Sequence, residues 1–353
     1  MNRPSVKPTA TGAYKYVGPE NTPIAFNLYL PTPVVVPGGT LTLPIVVYFH
    51  GGGLAVGDLT FFPQWLYDRV MSLGYAFLSA NYQLLPPGTV HDVIQDIQDL
   101  FTYLDNNNIA LEDKRLFKAD MNRVAVTGSS SGGHCAYLAG LHCAPKPKAI
   151  FAMYAIGGSL FTPCYLEEKT TAGQNLPDPG PLRQFLHPFE GGSKQTVSTS
   201  DVAFDPVTKA PTNIRMGISP LYLQRGIVLD YYSGLHEPSL SSKLRKILAT
   251  NPNATSKDFK QAIPVSQRYM FPELNVSATW PPTLLFHGDA DTSVLVSESQ
   301  HLTKLLKEAG ADAEIMIAAG QEHIFDLDPT SEAQWARQYN TVKDFFFRHL
   351  GET

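Results

Sequence analysis

Gly128-Ser129-Ser130-Ser131-Gly132 and a histidine at Ala319-Gly-Gln-Glu-His323-Ile-Phe325 bring together two residue types that can run acyl transfer. A hydroxyl attacks a carbonyl, and an imidazole carries its proton. The pentapeptide sits between a predicted strand, Arg123–Thr127, and a helix predicted from Gly133 to Ala144. That context gives G-x-S-x-G its meaning, because the glycines relieve crowding at a tight turn that pushes the central serine outward. Ser130 is therefore the candidate nucleophile. A serine-rich loop or a phosphate cradle at a helix start has the same composition. Ser129 and Ser131 also carry hydroxyls, so the choice of Ser130 rests on register.

Upstream lies His50-Gly51-Gly52-Gly53, directly after the apolar run Leu43-Pro-Ile-Val-Val-Tyr-Phe49. Glycines after a strand let backbone N–H groups converge on one point, where they can stabilise a developing oxyanion. A plain glycine turn would read the same way, but its position ahead of the serine turn is where such donors are placed. His50 precedes the serine and is read as a structural hydrogen-bonding residue.

A serine needs a base, and the base an orienting carboxylate, in the chain order serine, acid, histidine. His134 and His142 lie on the helix after the serine, His187 and His236 in an irregular middle segment, and His301 and His349 within helices. His287 ends a strand ahead of the candidate acid. Only His323 occupies a loop after the last predicted strand. The acid follows His287 in Gly288-Asp289-Ala290-Asp291-Thr292, which offers two aspartates. One of them serves as a turn or cap residue, and spacing alone does not separate Asp289 from Asp291.

The elements that must position these residues follow from periodicity. Buried strands are predicted at 43–50, 75–80, 123–127, 148–154, 281–287 and 314–318, and helices at 61–73, 90–104, 133–144, 296–309 and 330–349. The helix at 90–104 is the most amphipathic, with Val93, Ile97, Leu100, Phe101 and Leu104 on one face. Strands alternating with helices imply a mostly parallel sheet covered on both faces, an α/β fold. The rhythm fails over 158–275, with short helical patches near 219–226, 240–248 and 255–262 and loops at Pro177–Pro181 and Gly191-Gly192. Residues 1–42 are polar and broken by Pro31, Pro33, Pro37, Gly38 and Gly39, which predicts edge strands and an exposed hairpin.

With these motifs placed, the chain resembles the α/β-hydrolases of the hormone-sensitive-lipase-like esterase group, the α/β hydrolase fold-3 type. The resemblance covers residues 43–157 and 275–349. It rests on His50-Gly-Gly-Gly53, Gly128-Ser-Ser-Ser-Gly132, His287-Gly-Asp-Ala-Asp291 and His323. It implies an α/β-hydrolase fold, with a catalytic core at 1–157 and 275–353 and a cap at 158–274. Residues 1–42 would supply edge strands, with room for a contribution to the cap. It also implies a carboxylic ester hydrolase with Ser130, Asp291 and His323 as triad, since the family's acid is the last aspartate of its late-strand pattern. The amides of Gly52, Gly53 and Ser131 would form the oxyanion hole. The chain departs from the family at Tyr82-Gln-Leu-Leu-Pro-Pro87, where the usual motif carries an arginine and a glutamate, while the aspartate on the next helix is present as Asp96. Ser129 replaces the family's usual aspartate before the nucleophile.

Composition narrows the alternatives. The 353 residues suffice for one large domain or two small ones, and 43% hydrophobic against 17% charged residues describe a globular chain. A formal charge of -5 supplies no basic field for nucleic acid. Cys135, Cys143 and Cys164 form no C-x-x-C pair and no even framework, which fits a reducing, cytoplasmic setting. Cys135 and Cys143 read as small packing residues. The uncharged run Ala149–Leu166 reads as a buried strand entering a loop, because Gly157, Gly158, Ser159 and Pro163 interrupt it. Tyr231, Tyr232, Phe185, His187 and Phe189 are read as core of the middle segment and candidate pocket lining. The expected partner is a small-molecule ester, with no cofactor, no metal, no nucleic acid and no membrane span. An acyltransferase, lactonase or amidase would use the same triad. A lyase or a non-catalytic receptor is disfavoured by the presence of Ser130 and His323.

Overall fold

The computed structural model describes residues 6–31, 39–170, 176, 178–189 and 194–353. The expectations placed on Pro33, Pro37, Gly38, Pro177, Gly191 and Gly192 lie outside these residues.

Alternation along β3 (Thr40–Phe49) shows why the sheet is covered twice. Ile45, Val47 and Phe49 point into one apolar cluster, and Val46 and Tyr48 into another on the opposite face. A strand buried on both faces has no polar position to spare, hence its near-continuous apolar run. Around it, nine strands form one sheet of order β1-β2-β4-β3-β6-β7-β8-β9, with β5 on the flank of β6. The others are β1 (Ala10–Val17), β2 (Thr22–Tyr29), β4 (Ala76–Ala80), β5 (Ile109–Ala110), β6 (Leu116–Ser129), β7 (Ala149–Met153), β8 (Thr283–Gly288) and β9 (Ala313–Ala318). From β4 to β9 along that order all neighbours pair in parallel, and the predicted edge strands β1 and β2 pair antiparallel.

The first face is packed by α2 (Val90–Asn106), α3 (Ser131–His142) and α9 (Val296–Glu308). The second is packed by α1 (Gln64–Ser72) and α10 (Ser331–Leu350), through Trp65, Leu66 and Val70 and through Trp335, Tyr339, Val342 and Phe346. α2 begins with a capping box in which the Thr89 amide donates to Asp92 at 2.8 Å. Cys135 and Cys143 are buried and unbridged, as expected of packing residues.

Asp96 on α2 shows how the departure at residues 82–87 is accommodated. Its carboxylate is fully buried and accepts from the Gln83 amide at 2.6 Å and the Gln83 side chain at 3.0 Å. Lys15 of β1 reaches it at 2.6 Å. Burial pushes the Asp96 pKa up, to about 6, against the opposing pull of Lys15. The cation that the motif no longer carries comes instead from the edge strand.

Between β7 and β8 the chain builds α4 (Pro163–Leu166), α5 (Ile218–Arg225), α6 (Val228–Ser233), α7 (Leu240–Thr250) and α8 (Ser256–Ala262). The patches predicted near 219, 240 and 255 appear as α5, α7 and α8. The short α4 and α6 lie outside the predicted patches, because fewer than two turns show no period. Among the described residues no helix is long and apolar enough to cross a membrane.

Candidate active site

β6 ends at Ser129, and the chain turns at once into α3. Ser130 stands in the turn with φ 53° and ψ −122°, a conformation that costs a non-glycine residue energy and persists only where its surroundings enforce it. The flanking glycines explain how the turn closes. A Cβ at Gly132 would lie 2.0 Å from the Phe49 carbonyl oxygen, and one at Gly128 2.3 Å from the Gly132 backbone. The Ser130 amide donates to the Met153 carbonyl at 2.9 Å, tying the turn to β7.

The structure separates the three serines that spacing could not. Ser129 lines the smaller of two cavities at this end of the sheet, but its hydroxyl is paired with the Tyr48 hydroxyl at 2.9 Å. Ser131 is fully buried. Ser130 lines both cavities at this end of the sheet.

The aspartates separate as well. His323 Nδ1 stands 2.7 Å from Asp291 Oδ2. Asp291 Oδ1 accepts from the amides of Ser293 and Val294 at 2.9 and 2.8 Å. Burial pushes the Asp291 pKa up, but hydrogen bonds from His287, His323 and the Val294 amide outweigh it and hold it well below the usual carboxylate range. Asp291 is therefore an anion at neutral pH, and His323 must present Nδ1–H to it. Asp289 is exposed and accepts from the Gly320 amide at 2.6 Å, fastening the loop that carries His323.

Two supporting groups escaped the sequence reading. His287 is fully buried, with Nε2 2.8 Å from the Val294 carbonyl and 3.2 Å from Asp291 Oδ2, and Nδ1 2.7 Å from Ser299 Oγ. It braces the acid from the strand side. Tyr154 lays its ring edge-on to His323 at 4.7 Å and donates its hydroxyl to buried Asp326 at 2.7 Å. An imidazole at a strand end and an acid three residues after His323 were the visible signals, but neither has a characteristic spacing.

His50 is structural, as expected. It is fully buried, its ring stacks on Tyr82 at 4.5 Å, and its Nδ1 lies 2.8 Å from the Gly51 carbonyl. Burial pushes its pKa down to about 4, so it stays neutral. Gly52 adopts φ 117°, and a Cβ there would lie 2.1 Å from the Val56 carbonyl oxygen. Among the described residues, no backbone carbonyl accepts from the amides of Gly52 or Gly53. Gly52, Gly53, Ser130 and His323 line one cavity of about 330 Å³.

A larger cavity of about 430 Å³ opens from Ser130, His323 and Gly53 toward the segment between β7 and β8. Its walls include Leu54, Ile156, Leu160, Ile218, Tyr222, Val228, Tyr231, Tyr232 and Val294. Tyr231 and Tyr232 thus serve as both core and lining. Phe185 packs in the core of the segment, while His187 and Phe189 face a separate hollow beside His236. Among the described residues, no group of three or more His, Cys, Asp or Glu side chains is placed to hold a metal ion.

Comparisons with known proteins agree with this architecture. A BD-FAE family model matches residues 28–150, and a prolyl oligopeptidase family model matches residues 243–353. A probable carboxylesterase, M8 of a Phoma species, is 23% identical over 83% of this chain and 83% of its own length. A non-reducing polyketide synthase of Aspergillus calidoustus is 22% identical over 91% of this chain, which spans 13% of that protein. Among solved structures, an alpha/beta hydrolase superfamily protein of Enterococcus faecalis superposes with TM-score 0.56 at 15% identity, covering 92% of this chain and 96% of that one. A thermophilic esterase of Thermogutta terrifontis gives TM-score 0.57 at 15% identity, covering 99% and 95%.

Proposed function

We propose that this chain, which has the α/β-hydrolase fold, is a serine hydrolase that cleaves a carboxylic ester of a small or medium-sized metabolite. The observation that carries the reading is the meeting of Ser130, strained at the end of β6, with His323 on the walls of shared cavities, while Asp291 holds Nδ1 of that histidine. The probable carboxylesterase among its relatives supports the same chemistry.

In this reading Ser130 Oγ attacks the ester carbonyl while its proton passes to His323 Nε2. The amides of Gly52, Gly53 and Ser131 receive the oxyanion of the tetrahedral intermediate. Asp291 fixes the tautomer and stabilises the imidazolium. Collapse breaks the carbon–oxygen bond of the ester, and His323 returns the proton to the departing alcohol. Water, activated by His323, then attacks the acyl-enzyme and frees the acid and Ser130. None of these steps calls for a cofactor or metal.

Residues 158–274 act as a cap over the carboxyl ends of the strands, and the apolar 430 Å³ cavity beneath them receives the acyl chain. A concave, largely apolar pocket of this size suits a dissolved small molecule better than a lipid surface or a nucleic acid. The unbridged cysteines fit a cytoplasmic setting. A second reading, hydrolysis or transfer of a polyketide acyl group, draws on the similarity to polyketide synthases.

Hydrolysis of p-nitrophenyl esters from acetate to decanoate tests the proposal. Turnover should peak at an intermediate chain length and vanish in Ser130→Ala. Equal turnover by the variant would refute it.

A further inference from the structure

The smaller cavity contains a charge that the triad does not use. Arg215 lies on a 3-10 turn, Ile214–Gly217, and only 9% of its surface is exposed. It lines the 330 Å³ cavity together with Gly52, Gly53, Ser130, Ser219 and His323. Its Nε donates to the Ala55 carbonyl at 3.1 Å, and its Nη2 to the carbonyls of Leu85 and Pro86 at 3.1 and 3.0 Å. The guanidinium stands 5.5 Å from the centre of the Phe185 ring. Every hydrogen-bond acceptor it touches is neutral. Among the described residues its hydrogen bonds go to these three carbonyls through Nε and Nη2 and none through Nη1, which is not sealed from solvent.

A buried charge without a counter-charge is costly, and burial pushes the Arg215 pKa down, to about 10. It nevertheless remains charged at neutral pH. Three carbonyls hold the head group in place, so its free edge is preorganised for an anion. A structural clamp alone could use neutral donors. The large cavity is walled mainly by aliphatic and aromatic side chains. Its one lining cation among the described residues, Lys169, is exposed and turned onto the carbonyls of Cys164 and Leu223 at 2.6 and 2.7 Å, so the buried part suits an uncharged acyl chain.

Resting on the esterase reading, we propose that the smaller cavity binds the leaving alcohol and that Arg215 selects alcohols bearing a carboxylate. Arg215 is thus a specificity residue. The substrate class is an ester joining an apolar acyl group to a hydroxy acid, such as a hydroxybenzoate.

Two esters with similar leaving groups test this: 4-carboxyphenyl hexanoate and its neutral methyl ester, 4-(methoxycarbonyl)phenyl hexanoate. The native protein should favour the carboxylate in kcat/KM by about tenfold or more, as expected for a desolvated charge-assisted hydrogen bond. Arg215→Gln should bring the ratio close to one, and Arg215→Lys should keep part of it. A purely structural role would slow both esters alike and leave the ratio unchanged, which overturns the inference. A mono-adipate ester of methyl 4-hydroxybenzoate places the charge on the acyl side. Arg215-dependent preference for that ester over the neutral hexanoate would also overturn the assignment to the alcohol.

Binding separates this inference from the esterase reading. In a Ser130→Ala background, 4-hydroxybenzoate should bind at least about tenfold tighter than methyl 4-hydroxybenzoate, and Arg215→Gln should erase the difference. That result without turnover of any ester by the native protein would remove the esterase reading and keep the anion site. Turnover of both esters with no charge preference and no binding difference would keep the esterase and remove the site.

Discussion

Ser130, Asp291 and His323 follow β6, β8 and β9, and both β6 and β8 are paired with strands on each side. Tyr222, Tyr231 and Arg215, which shape the cavities opposite, stand on helices and a turn of 8, 6 and 4 residues. The first group is positioned by sheet register and a glycine-flanked turn. The second is held by buried polar ties to the core. Arg215 grips three carbonyls beside the glycine loop, and Glu298 of α9 accepts from the amides of Gly157, Gly158 and Ser159 at 2.7, 3.1 and 3.3 Å. The contrast separates chemistry from selection. In the proposed reading, strand ends position the reacting groups and the irregular segment shapes the pockets.

The sharpest break in that contrast lies in the reacting groups themselves. Ser130→Ala or His323→Ala should lower kcat by about 10⁶-fold if the triad acts as a unit. Thermal unfolding should change little, since neither side chain belongs to an apolar core cluster. A similarly large loss arising from Tyr222→Phe would erase the division between chemistry and selection.

The aspartates sharpen the comparison next. Asp291→Asn should cost about 10⁴-fold in kcat, as loss of the orienting carboxylate does in serine proteases. Asp289→Asn, which disturbs only the bond to the Gly320 amide, should stay within a few fold. Steady-state kinetics on one ester would show the ordering, and its reversal would refute the assignment.

On the selecting side, Val228→Trp should fill part of the large cavity. Decanoate hydrolysis is expected to fall about tenfold while acetate changes little, because each added methylene in an apolar pocket contributes roughly 1 kcal/mol or more. A uniform loss over the ester series would mean that the segment also positions the triad.

The smallest effect concerns stability. Burial pushes Glu273 up to about 8, aided by the charge of Glu298, and pushes Glu298 up to about 7. Their folded pKa values lie above the unfolded value of about 4.3. At these two carboxyls the unfolded chain therefore binds fewer protons between these limits, so their contribution to stability falls as pH rises from about 4 toward 8. Buried His50 and His134, whose pKa values are pushed down, contribute the opposite slope below about 6.5. Urea midpoints of the native protein and of Glu273→Gln at pH 5 and pH 8 isolate the Glu273 part: between these values the native midpoint should fall more, or rise less, than that of the variant. An unchanged slope in the variant would remove Glu273 from this account.

The sequence singles out the proposed reacting groups because their constraints are local. A serine between glycines after an apolar strand, and a histidine after the last strand, carry their meaning within a few residues. Choosing Asp291 over Asp289 needed either resemblance or the 2.7 Å contact with His323. The ties between regions were not legible. Lys15 and Asp96 are distant in sequence, as are Arg215 and Ala55. Glu298 falls within the helix predicted at 296–309 with no local mark of its role, yet it is buried against backbone amides. Periodicity finds faces, but it does not find the remote partner of a single charge.

The central claim is that Ser130 is the nucleophile. Treating the protein with a fluorophosphonate and mapping the adduct by peptide mass spectrometry tests it directly. One phosphonyl group on Ser130, absent in Ser130→Ala and His323→Ala, is the predicted result. An adduct on Ser129 or Ser131, or labelling that survives Ser130→Ala, would contradict the account.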